Sequence, residues 1–158
     1  MKRSARKTVP LEKNEVWQEV SSLADYFYGI LADFPASEHY TAVSKIRFAV
    51  IDVLYSVSQG LGNASDSGRE YDWTYAKKFL SGLKGIYIFS GKQSFIELDP
   101  QIVVRMDKLS KIFDEQIEQG FKDSNVAYKR EIDSWKERYD SWKKLNEETN
   151  PKWMTGSK

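Results

Sequence analysis

The chain has 158 residues and no cysteine, an absence that removes disulfides, thiolate metal sites and thiol nucleophiles together. Histidine is nearly missing too, since His39 is the only one. No run approaches the ~18 consecutive apolar residues that a membrane helix needs, and Met1 to Pro10 lacks the apolar stretch of a secretion signal. The expectation is a cytoplasmic protein with no membrane partner. Excess charge is also lacking. Lys and Arg number 24 against 23 for Asp and Glu, a balance that neither demands nor forbids an anionic partner.

What the chain does have is helical periodicity. Val16, Val20, Leu23, Phe27 and Ile30 or Leu31 recur at three- and four-residue spacing, which places them on one stripe of a first helix running from about Leu11 to Pro35. Phe34-Pro35-Ala36-Ser37 reads as a turn, with Ser37 capping a second helix whose stripe is Tyr40, Val43, Ile46 or Arg47, Val50, Leu54 and Val57. Gly60-Leu61-Gly62-Asn63 supplies residues that tolerate positive φ at its end. Asp66-Ser67-Gly68 offers N-capping types for a third helix with the stripe Tyr71, Tyr75, Phe79, Leu83 and Ile86 or Tyr87. Gly82 and Gly85 within it suggest a close helix approach or a bend. Ser90-Gly91-Lys92-Gln93 ends it.

Asp99-Pro100 opens a fourth helix, with Val103, Met106, Leu109 or Ser110, Phe113 and Ile117 sharing a face. Gly120 marks an end or a kink. Beyond it Tyr128, Ile132, Trp135, Tyr139 and Trp142 alternate four- and three-residue steps, as in a coiled-coil seam, and Asp133-Ser134-Trp135-Lys136 is echoed by Asp140-Ser141-Trp142-Lys143. The expected architecture is an all-α, antiparallel four-helix bundle with an extra C-terminal helix. Its parts are a flexible basic arm at 1–10, the bundle at 11–119, an amphipathic aromatic helix at 120–147 and a flexible tail at 148–158.

Groupings that could carry catalysis are sparse. His39 stands at a helix start, where a capping or surface role suits it better than that of a base. Glu15 with Glu19, and Asp114 with Glu118, sit one turn apart, but nothing at matching spacing completes a metal site. Ser90-Gly91-Lys92-Gln93-Ser94 fails as a phosphate-binding loop, because position 86 is Ile and position 93 is Gln. Gly60, Gly62 and Gly68 follow no strand, so a dinucleotide fingerprint fails as well. Asn63-Ala64-Ser65 matches a glycosylation sequon, to which no weight attaches without a secretion signal. The expectation is a non-enzyme with no cofactor and no metal.

What remains is surface. Arg69, Lys77, Lys78, Lys84 and Lys92 on the third helix, with Arg105, Lys108 and Lys111 on the fourth, could neutralise RNA phosphates beside aromatics that stack bases. From spacing alone, an ordinary charged helix exterior is the favoured reading of the same cations. From Asn14 to Asp33 there is acid and no base, so any nucleic-acid surface lies away from the first helix. Ile132, Trp135, Tyr139 and Trp142 could instead grip a partner helix, or pack back on the bundle.

The segments Phe34-Pro35-Ala36-Ser37-Glu38-His39-Tyr40, Lys45-Ile46-Arg47-Phe48-Ala49-Val50 and Gln59-Gly60 resemble the bacterial four-helix bundle proteins. That superfamily joins the ribosomal RNA intervening-sequence proteins with the accessory variability determinant (Avd) proteins of diversity-generating retroelements. Tyr75-Ala76-Lys77-Lys78-Phe79-Leu80, running into Lys92 and Phe95-Ile96, looks more like the Avd branch. The other branch usually ends its second helix in Asn-Ile-Ala-Glu-Gly, where this chain has Ser56-Val57-Ser58-Gln59-Gly60. The resemblance covers about Leu11 to Gln119. It implies a homo-oligomer, typically a pentamer, that binds RNA and a reverse transcriptase as a non-catalytic accessory.

Overall fold

The computed structural model describes residues 9–62 and 68–149, with side chains as far as Leu145. Most of the expected basic arm, the sequon with Asp66 and Ser67, and the tail from Asn150 lie outside the described residues. Those residues are all-helical, with no strand among them. The four α-helices are α1 (Glu15–Ile30), α2 (Ala42–Gly62), α3 (Arg69–Lys92) and α4 (Pro100–Thr149).

Each boundary has a local cause. Leu11–Lys13 forms a separate 3₁₀ turn, and α1 begins after it because the Asn14 side chain accepts hydrogen bonds from the Val16 and Trp17 amides at 3.0 and 3.2 Å. The helix tightens into a second 3₁₀ turn at Leu31–Asp33 before Pro35. The second helix starts later than expected. Ala36–Glu38 is a third 3₁₀ turn and α2 opens only at Ala42, which leaves Tyr40 at 90% exposure and outside the core. Gly68, at φ 94°, occupies the N-cap of α3 in the left-handed region that favours glycine. The Asp99 carboxylate accepts from the Gln101 amide at 2.8 Å, so Asp99-Pro100 does open α4.

Val20, Leu23, Phe27 and Leu31 of the α1 region meet Val43, Ile46, Val50, Val53 and Val57 of α2 in one buried cluster. Ile102, Met106, Leu109 and Phe113 of α4 close it. The stripe expected on α3 holds at Leu83 and Tyr87 but is displaced in the first half of the helix. Tyr71 and Tyr75 are exposed, and the buried face is Trp73, Ala76, Leu80, Leu83 and Tyr87. Aromatics at 71, 75 and 79 imitate helical period, while Ala76 carries too little apolar surface to advertise the true face.

Four glycines depart from the roles expected of them. Gly60 has no positive φ; it lies within α2, and a Cβ there would stand 2.8 Å from Cε2 of Trp73. Gly82 and Gly85 are not at a close approach, since a Cβ at either meets nothing within 4 Å, and α3 runs unbroken through both. Gly120 does not end the fourth helix. A Cβ there would lie 2.9 Å from the Glu70 backbone nitrogen, so glycine lets α4 pass the start of α3 at close range. Residues 120–147 therefore continue α4, a helix of 50 residues, where a separate C-terminal helix was expected.

Candidate interaction surface

At 1.5 Å per residue α4 is about 75 Å long, roughly twice the length of α2 or α3. Its first half packs on α3 and α1. Near its middle, α4 is fastened to the start of α3 at Asp123 and Ser124. Arg69 approaches the Asp123 carboxylate at 3.9 Å, and the Ser124 hydroxyl donates to Glu70 at 3.0 Å. Glu70 is buried and its carboxylate also accepts from the Gly68 amide at 3.2 Å. This clasp, with Gly120 beneath it, is the root of an arm. From Tyr128 to Leu145 every side chain is exposed.

On the arm the proposed partner-binding residues share one line. Trp135 and Trp142 are 61% and 57% exposed, and Ile132 and Tyr139 are exposed beside them. The Trp135 and Tyr139 rings stack at 5.7 Å between centroids, and Tyr139 meets Trp142 at 6.0 Å. Arg138 borders the aromatic surface. Phe121 and Tyr128 extend the ladder toward the root, both exposed. The alternative that this seam packs back on its own helices is not what the structure has.

The eight cations expected to meet RNA are dispersed in role. Lys77 pairs with Asp114 and Lys84 with Asp107, both at 2.5 Å. Arg105 donates to Glu19 at 2.7 Å and to Ser22 at 3.1 Å. Arg69 donates to the Gly60 carbonyl at 3.4 Å besides facing Asp123. These four tie helices together. Lys78, Lys92, Lys108 and Lys111 are exposed, with Lys78 over the Tyr75 ring at 5.9 Å; no ion pair engages these four among the described residues.

No protein-family model matches the chain, and no curated protein sequence matches it. The site must therefore be read from its chemistry. Among the described residues no group of three or more His, Asp or Glu is placed to hold a metal ion, and no helix is long and apolar enough to cross a membrane. His39 is exposed and sets its ring edge-on to Tyr40. The carboxyl of Glu118 is held below its ordinary range by a hydrogen bond and charge from Lys122, a local surface effect.

Two features escaped the sequence reading. Phe48, Ile51 and Tyr55 are exposed on α2; their spacing of three and four residues is helical, but the buried stripe of the same helix masked it. The burial of Glu70 had no local signal: its contact with the Gly68 amide is local to the start of α3, but Ser124 and the Gly120 stretch that cover it arrive only through tertiary packing.

Proposed function

We propose that the protein is a non-catalytic helical scaffold: an antiparallel four-helix bundle that holds a docking arm clear of its core and engages a partner protein through Ile132, Trp135, Tyr139 and Trp142. The exposed aromatic ladder on α4 carries this reading. A solvated helix face has no use for tryptophan and tyrosine repeated at heptad spacing, whereas buried Trp and Tyr dominate the energetics of protein interfaces. The bundle arrangement is supported by contacts that step in opposite directions: Lys84 with Asp107 and Lys77 with Asp114 between α3 and α4, and Trp17 donating to Ser58 between α1 and α2 at 3.1 Å.

The test is the isolated protein's stability. Trp135→Ala/Trp142→Ala is expected to change the free energy of unfolding by no more than about 0.5 kcal/mol, as surface substitutions do. A loss of several kcal/mol in urea denaturation would make these tryptophans core residues and end the docking reading.

A second reading follows the resemblance to accessory proteins that bind RNA and a reverse transcriptase as homo-oligomers. The open lysines Lys78, Lys92, Lys108 and Lys111 favour it. Under this reading, reversing those four charges lowers affinity for structured RNA at least tenfold, and each lost phosphate contact flattens the salt slope by about one. Because Lys77, Lys84 and Arg105 hold helices together, their reversal would confound binding with stability. Undiminished RNA affinity in the four-lysine variant would dismiss these cations as the RNA surface.

A further inference from the structure

We infer that the arm of α4 takes as its partner an amphipathic helix with an acidic flank, seated along the aromatic ladder in a heterotypic coiled coil. This rests on the docking reading above and adds the partner's shape and charge. Shape comes from spacing. Phe121, Tyr128, Trp135 and Trp142 recur every seven residues, and Asn125, Ile132 and Tyr139 fall between them, so the two series are the d and a positions of a heptad seam that faces one companion helix. The seam runs about 30 Å along the exposed arm, enough for some three heptads.

Charge comes from the neighbouring position. Every residue that directly follows a d residue is lysine: Lys122, Lys129, Lys136 and Lys143. They form the e row, one complete flank of the seam. Lys122 is occupied by Glu118 at 2.7 Å. Lys129, Lys136 and Lys143 are exposed and join no ion pair among the described residues. The opposite flank is Ser124, Glu131, Arg138 and Leu145, of no uniform sign. Flanking charges of a coiled coil select partner and direction, so a row of one sign asks for carboxylates at the positions that meet it.

A second copy of the chain answers poorly. Antiparallel pairing sets the e row against itself, lysine facing lysine, and parallel pairing yields no net attraction, since Glu131 against Lys136 is offset by Arg138 against Lys143 while Lys129 meets only Ser124. Single-stranded RNA answers poorly too, since a phosphate strand tracking the lysines would also run against Asp133 and Asp140 on the outer side of that row, whereas a helix seated on the seam meets the e row and not those outer positions.

The experiment titrates the full chain into two dye-labelled synthetic helical peptides that share a leucine heptad seam, one carrying Glu and the other Lys on its flanks, following the anisotropy of the label at several salt concentrations. The expected result is at least tenfold tighter binding of the Glu peptide, weakening with salt. Lys129→Glu/Lys136→Glu should reverse the preference, and Trp135→Ala/Trp142→Ala should abolish binding of both. Equal binding of both peptides would overturn the acidic partner and leave the docking arm standing. Binding of neither, with an unfolding change in the double-tryptophan variant, would overturn the docking reading itself. Concentration-dependent dimerisation that the tryptophan changes remove would assign the seam to a second copy, and poly-uridine binding lost in the same variant would assign it to nucleic acid; each overturns the inference.

Discussion

Trp73→Ala is expected to lower the free energy of unfolding by about 3–5 kcal/mol, a large part of the ~5–15 kcal/mol that keeps a domain folded. Trp73 is fully buried, its ring lies 5.6 Å from that of Phe113, and the pyrrole side of its indole fills the space that Gly60 leaves open. Removing it opens a void at the meeting of α2, α3 and α4. The complementary change acts through the same space. Gly60→Ala gains ~1 kcal/mol of helix propensity, but its methyl would stand 2.8 and 2.9 Å from Cε2 and Nε1 of a ring with nowhere to retreat, and overpacking of this kind costs about 1–3 kcal/mol. The clash wins, so Gly60→Ala destabilises. In the double variant the new methyl occupies part of the void, and the two effects should fall short of their sum by at least about 0.5 kcal/mol. Urea denaturation of the four proteins reads this directly; strict additivity would mean that the two positions do not share that space.

The second large effect is expected at Tyr87. Its ring is fully buried and meets Phe27 edge-on at 5.3 Å. Its hydroxyl accepts from the Asp99 amide at 2.9 Å and shares a hydrogen bond with the Tyr26 hydroxyl at 2.8 Å. Tyr87→Ala should cost about 3–5 kcal/mol, as truncation of a large core aromatic does. Tyr87→Phe keeps the ring and leaves the Asp99 amide and Tyr26 hydroxyl short of a partner, at about 1–3 kcal/mol. The pair has a pH signature. Burial, and then the hydrogen bond to Tyr87, push the Tyr26 hydroxyl well above its ordinary range. A pKa raised in the folded state means that the contribution is complete below the unfolded value of about 10 and is lost as pH rises through the folded one. Stability should therefore decline above about pH 10, and less steeply in Tyr87→Phe. An identical alkaline decline in both proteins would show that the Tyr87 hydroxyl does not contribute to it.

The helical class and three of the buried stripes were legible because Val, Leu, Ile and Phe at three- and four-residue spacing leave few alternatives. The first half of the α3 face was not, since Tyr71 and Tyr75 offered a rival period and Ala76 weighed little, whereas Leu83 and Tyr87 were placed correctly. Gly60 and Gly120 misled for a related reason. A glycine near an apparent helix end suggests a cap, and only the packed neighbour, Trp73 in one case and Glu70 in the other, reveals a contact surface. On the arm the heptad of Ile132, Trp135, Tyr139 and Trp142 was readable as a seam, but its exposure depends on where the other helices stop. The cations were the least legible. Lys77, Lys84 and Arg105 look like Lys78 and Lys108 until Asp114, Asp107 and Glu19 are seen across the helix interfaces.

The continuity of α4 through Gly120 bears on how the arm forms at all. An independent helix of its length must first fix a turn against an unfavourable nucleation constant of about 10⁻³. Here that turn already exists, held by Met106, Leu109 and Phe113 in the core, and each arm residue is added by propagation alone. The arm is an ordered overhang grown from a seeded end, so a companion helix meets a template and bears little of the entropy of making one.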